Sequence, residues 1–149
     1  MKLEQEISQK NFRNNHHKAI VNLIFTYNWL YERHSNLLKP YGITIQQFNL
    51  LRILRGQYPN PATVKLLKER MLDKMSDASR LVEKLRAKEM IDRNICPKDR
   101  RTVDVIITEK GLKLLEEIDK KEKDFNQLLS NLENREIDQL NVLLDKMRG

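Results

Sequence analysis

Between Asn11 and Leu38 the apolar residues recur at helical spacing. Ile20, Ile24, Tyr27, Tyr31 and Leu38 form one stripe, and Val21, Phe25 and Trp29, four apart, form a second on an adjacent face. Leu23, Leu30 and Leu37 widen the apolar surface further. One helix in a small domain rarely buries so much of its circumference against its own core. The pattern therefore predicts a long helix packed both on its own domain and on a second subunit.

Pro40-Tyr41-Gly42 ends that helix with a proline brake and a glycine suited to a reversal. Thr44 is a good N-cap for a helix over Ile45–Leu54, with Phe48, Leu51 and Leu54 facing a core. Gly56-Gln57-Tyr58-Pro59-Asn60-Pro61 reads as a loop. A short helix from Thr63 to Met71 follows, then a turn at Leu72–Met75, then a helix to Lys88 capped by Ser76. Ala78, Leu81, Val82 and Leu85 make its buried stripe. Two short helices joined by a tight turn, the second with a cationic outer face, form a helix-turn-helix pattern.

Ile91 to Ile107 then reads as a hairpin of two strands around a basic turn, with Val103, Val105 and Ile107 alternating against Thr102 and Asp104. Thr108 caps the next helix, striped by Leu114 or Leu115, Ile118, Phe125 and Leu129 through the polar middle Asp119–Asp124. A last helix from Asn134 to Met147 carries Ile137, Leu140, Leu144 and Met147. The fold class is mainly α with a small β-hairpin: a winged helix-turn-helix flanked by amphipathic helices of the kind that dimerise. No linker, repeat or low-complexity tract divides the chain, so residues 1–149 are expected to form a single domain. Residues 41–110 would be its winged-helix core, and 11–38 and 112–147 its dimerisation helices.

The net charge of +7, from 28 Lys and Arg against 21 Asp and Glu, favours a polyanionic partner. No stretch approaches the length of a membrane span, and the charged start Met1-Lys2-Leu3-Glu4 lacks a signal's apolar core, so a cytoplasmic location is expected. The single cysteine, Cys96, leaves no intramolecular disulfide and no cysteine-cluster zinc site. Neighbouring cations could activate its thiol as a redox sensor, but a half-buried strand residue is the plainer reading. His16 and His17 are adjacent and point to different faces, so no metal is expected. No Gly-rich phosphate loop, nucleophile elbow or carboxylate pair suggests an enzyme or a cofactor.

The cations suit DNA. On the fourth helix Arg80 can offer a guanine edge two hydrogen bonds. Ser76 and Ser79 are short donors near the helix N-terminus, and Lys74 and Lys84 suit phosphates as point charges. At the hairpin tip Lys98, Arg100 and Arg101 set three cations around one turn, where a guanidinium fits a narrow minor groove. Asp99 is out of place there unless it orients an arginine. Tyr27, Tyr31, His34 and Tyr41 could line a cleft for an aromatic ligand between the long helix and the winged helix, although such a stripe is more often core.

Leu81-Val82-Glu83-Lys84-Leu85, Met90-Ile91-Asp92-Arg93, Asp99-Arg100-Arg101 and Ile107-Thr108-Glu109-Lys110-Gly111 resemble the winged-helix signature of the MarR family of bacterial transcription regulators. Ile43-Thr44-Ile45-Gln46-Gln47-Phe48 resembles that family's second helix. The resemblance implies a homodimer whose recognition helices and wings grip a pseudo-palindromic operator. It implies a repressor, with many members released from DNA by a small aromatic ligand. It also implies that Asp99 pairs with Arg101, the arginine that enters the minor groove. The helix end that often reads Lys-Gly-Leu in the family is here Lys88-Glu89-Met90, which raises the cost of a left-handed cap. The expected function is that of a sequence-specific DNA-binding regulator. The competing reading is a winged helix used as a protein-interaction module, which would have little reason to keep three cations at its wing tip.

Overall fold

In a computed structural model, which describes residues 1–149 except Cys96 and Arg100, most α-helix starts are set by a small polar side chain or a capping box. After a short α1, Leu3–Glu6, Asn14 caps the long α2, Asn15–Leu38, by accepting the His17 N–H at 2.9 Å. The helix therefore begins four residues later than its apolar pattern suggested. Pro40 then sits in a single 3-10 turn, Lys39–Tyr41, and Gly42 takes a left-handed φ of 67° that reverses the chain. Thr44 and Gln47 exchange side-chain-to-backbone hydrogen bonds at 3.1 Å and start α3, Ile45–Gln57. Thr63 caps α4, Val64–Arg70, and α5 follows at Ala78–Ala87.

Strands β2, Ile91–Ile95, and β3, Val103–Ile107, pair antiparallel with Ile91 opposite Ile107 and Ile95 opposite Val103. The sheet has three strands rather than two. β1, Ala62–Thr63, lies on the other side of β3, with Ala62 opposite Val105. Two residues directly after Pro61 carry no alternation, so the pattern gives no sign of it.

Thr108 caps α6, Glu109–Asp119, by accepting the Gly111 N–H at 3.2 Å. The single helix expected through Leu129 is broken. The Lys121 N–H turns to the Ile118 carbonyl at 2.8 Å, and α7, Glu122–Asn126, starts afresh. The polar run Asp119–Asp124 has no buried side to hold it helical, and the break lets Phe125 stack on Phe48 at 6.1 Å. The chain ends in α8, Asn134–Arg148.

One core joins these elements: Leu50, Leu51 and Leu54 of α3, Leu67 of α4, Val82 and Leu85 of α5, Ile91, Val105 and Ile107 of the sheet, and Leu115 and Ile118 of α6. The long α2 contributes one fully buried residue, Leu38, at its far end, and α8 contributes none.

The exit of α5 is a left-handed cap without its usual glycine. Glu89 has φ of 60°, the Glu89 N–H donates to the Arg86 carbonyl at 2.8 Å, and the Met90 N–H donates to Leu85 at 3.1 Å. The loop is held because Thr108 grips it from β3's end. Its Oγ1 donates to the Glu89 carbonyl at 2.8 Å and its N–H to the Met90 carbonyl at 3.0 Å.

Candidate nucleic-acid interface

The turn before α5 is built by Asp73 and Asp77. One Asp73 carboxylate oxygen accepts the Met75 N–H at 2.9 Å, its carbonyl accepts the Ser76 N–H at 3.1 Å, and Asn49 of α3 accepts the Leu72 N–H at 2.9 Å. Asp77, not Ser76, is the N-cap of α5, accepting the Arg80 N–H at 3.1 Å. Ser76 Oγ is buried and has no hydrogen-bond partner among the described residues, so in this arrangement it is not a donor offered to DNA. Adjacent Ser and Asp both suit a cap. The one whose backbone is extended and three residues before the free N–H takes the role.

Ser79, Arg80 and Lys84 are exposed on the outer face of α5, as expected. Arg80 and Lys84 make no ion pair among the described residues, and they border a shallow depression of about 410 Å3 between α5 and the start of α3. Glu83 does not engage Arg80. It pairs with Arg86 at 3.7 Å and with Arg93 of β2, which ties β2 to α5. Lys74 faces another way: its Nζ donates to the Glu69 carbonyl at 2.6 Å, and the residue lines the cleft beside α2 rather than the depression beside Arg80.

At the wing turn Lys98, Asp99 and Arg101 are exposed, while Arg100 and Cys96 lie outside the described residues. Asp99 does orient the turn, but through the main chain. Its carboxylate accepts the Arg101 N–H at 2.9 Å and the Thr102 hydroxyl at 3.0 Å, and its carbonyl accepts the Thr102 N–H at 2.9 Å. Among the described residues no ion pair joins Asp99 to the Arg101 guanidinium, which leaves that fork open. The Asx-type bond two residues on was available from sequence as a property of aspartate in turns.

Tyr27, Tyr31 and His34 converge on a cleft of about 420 Å3 between α2, α3 and the Leu72–Lys74 turn. Gln46 Nε2 reaches the Tyr31 hydroxyl at 3.4 Å, and the rings of Tyr27 and Tyr31 lie 6.0 Å apart. Tyr41 is not part of it: carried on the 3-10 turn, it packs against the main core. His34 stands edge-on to Phe48 at 5.9 Å and to Phe125 at 5.1 Å, with Nε2 buried and without a partner among the described residues.

Burial, with a smaller contribution from Arg52, pushes the His34 imidazole below its ordinary pKa. The unfolded chain then binds this proton more readily than the folded one, so stability is full above about pH 6.5 and falls as pH drops below it. Glu4, held below the usual carboxylate range by its Lys18 hydrogen bond, titrates lower still. The expected result is a urea midpoint that declines between pH 7 and pH 5 in the wild type and declines less in His34→Phe. Equal slopes would show that the ring is not the sensing group.

The described residues hold no group of His, Cys, Asp and Glu arranged for a metal, and none of their helices is long and apolar enough to cross a membrane. A family model described as the MarR family matches residues 43–103. No curated relative matches by sequence. Among solved structures, a mutant of E. coli MarR complexed with operator DNA superposes with a TM-score of 0.81 at 24% identity, over 93% of this chain and 99% of that one. A MarR-like transcription regulator from Bacillus cereus ATCC 10987 gives 0.80 at 21% identity, over 90% and 96%. BpsR of Bordetella bronchiseptica, whose DNA binding is regulated by 6-hydroxynicotinic acid, gives 0.75 at 24% identity, over 85% and 89%.

Proposed function

We propose that the chain is a transcription regulator of the MarR family, whose model matches residues 43–103, and that it acts as a homodimeric, sequence-specific repressor. In this reading the winged-helix core holds operator DNA, with the recognition helix in the major groove and the wing in the adjacent minor groove. The observation that carries it is the pairing of two presentations of charge. Arg80 and Lys84 stand on one helix face, Lys98 and Arg101 on one turn, and the Glu83–Arg93 ion pair joins the two elements. Ser79 lies exposed on the same helix as a short donor.

Dimerisation is supported by what the chain leaves uncovered. Ile20, Leu23, Ile24 and Leu30 of α2 and Val142, Leu143 and Met147 of α8 are exposed apolar residues on amphipathic helices. A second copy that packs α2 and α8 together buries both faces at once and sets two recognition helices about one DNA turn apart. The Tyr27–Tyr31–His34 cleft is the site for a small aromatic effector, since its walls are aromatic with a few polar tips. Gln46 and Asp73 border both this cleft and the depression beside Arg80, so an occupant bears directly on the turn that positions α5.

The test is binding to duplex DNA enriched from a random library. The protein is expected to elute as a dimer and to select a two-fold-related half-site. Log K is expected to fall linearly with log salt, with a slope near −0.9 for each phosphate neutralised. A flat salt dependence would overturn DNA as the partner and leave the basic face to an acidic protein.

A further inference from the structure

Met75 has no role in the charge-based reading, yet it is the most exposed large apolar side chain among the described residues apart from Met1, at 92%. It sits on neither α2 nor α8, so the surface proposed for dimerisation does not account for it. Its place is the turn immediately before α5, on the rim of the depression that Arg80 and Lys84 also border. The turn is not loose. Asp73 takes the N–H groups of Met75 and Ser76, and Asn49 takes that of Leu72, so the backbone that carries Met75 is fixed against α3. Leu72, also exposed, belongs to the opposite side of the turn and lines the α2 cleft.

In helix-turn-helix proteins the N-terminal residues of the recognition helix contact base edges in the major groove, and Met75 is held out at that end of α5. The only apolar feature a base pair shows there is the thymine C5-methyl group. Lysine or arginine at this place would seek guanine or phosphate; an unbranched, polarisable chain suits a methyl.

We propose that Met75 is a specificity-determining residue that reads a thymine methyl in each operator half-site. The inference rests on the DNA-binding reading above and adds one base preference to it. Burying one methyl against the thioether corresponds to about fourfold in affinity per half-site, and about fifteenfold over a symmetric operator.

The experiment uses the full chain and the duplex that the wild-type protein enriches from a random library. That duplex is made a second time with deoxyuridine in place of thymidine, which removes only the methyl groups. Wild type is expected to enrich a thymine at a fixed position in each half-site and to bind the uracil duplex about fifteenfold more weakly. Met75→Ala and the isosteric, polar Met75→Gln are expected to bind both duplexes nearly equally, and both fold because the side chain is exposed. An equal loss on uracil in wild type and both variants, or no loss in wild type, would overturn the Met75 assignment while leaving DNA binding in place. Failure of the wild type to enrich any duplex would overturn both.

Discussion

Arg101→Ala is expected to weaken binding to the enriched operator duplex by about a hundredfold at one fixed salt concentration, with the thermal midpoint and dimer elution unchanged. The size follows from the number of contacts. A well-placed guanidinium in a groove discriminates by about 1–3 kcal/mol, and a symmetric dimer presents two wings. The unchanged fold follows from exposure: Arg101 makes no ion pair among the described residues, and surface substitutions away from buried networks stay within about 0.5 kcal/mol. Arg101→Lys should restore part of the affinity, since an ammonium keeps the attraction to the narrow groove and loses the planar fork. Asp99→Ala should mimic Arg101→Ala in part. The turn would lose the acceptor for the Arg101 N–H and the Thr102 hydroxyl, and the guanidinium would then be ordered only on binding. Equal affinity of wild type and Arg101→Ala would remove the wing from the interface.

How this wing works also shows where sequence reading stops. Its two strands and its basic tip were legible, because alternation and turn residues act within a few positions of one another, whereas the register of the pairing comes from the structure. The partner of Asp99 was not. The resembling family suggested a side-chain ion pair with Arg101, and the structure holds Arg101 by its backbone N–H, a distinction of a few ångströms that residue types do not encode. The same limit explains the cap of α5. Ser76 and Asp77 are both competent, and only the local backbone decides that Asp77 accepts the Arg80 N–H.

Long-range arrangement divided similarly. Tyr27, Tyr31 and His34 share one helix stripe, so their convergence on a cleft was predictable from periodicity, whereas Tyr41 lies past Pro40 and turns to the core. β1 was invisible because two residues define no period. The break at Lys120–Lys121 was missed because Ile118 and Phe125, seven apart, fit an unbroken helix as well as they fit the interrupted one. Met75 falls in the turn Leu72–Met75, where no periodicity tells an exposed side chain from a buried one. Only its exposure, fixed by Asp73 beneath it, gives it a role.

The junction between the exit of α5 and the start of α6 gives the second large effect, and it concerns stability. Gly111 lies in the first turn of α6, directly beneath the left-handed loop that ends α5. A Cβ added there would collide with the Met90 carbonyl oxygen and meet Ile107 Cγ1 at 2.7 Å. That carbonyl cannot retreat freely, because it accepts the Thr108 N–H at 3.0 Å and its neighbour at Glu89 accepts the Thr108 hydroxyl. Overpacking of this kind costs about 1–3 kcal/mol, more than the 0.5–1 kcal/mol that alanine gains over glycine within a helix. Gly111→Ala is therefore expected to destabilise by about 2 kcal/mol and to lower the melting midpoint by about 4–8 °C. The opposite exchange one layer above should raise it. Glu89 occupies a left-handed backbone at a cost of about 1–2 kcal/mol, and glycine recovers most of that while giving back some unfolded-state entropy. Its exposed contact to Lys110, 3.4 Å long, contributes little. A Glu89→Gly midpoint above wild type beside a Gly111→Ala midpoint below it would locate the strain at this junction. A Gly111→Ala midpoint equal to wild type would mean that the loop above α6 yields, and that α5 and the sheet are less firmly joined than their hydrogen bonds indicate.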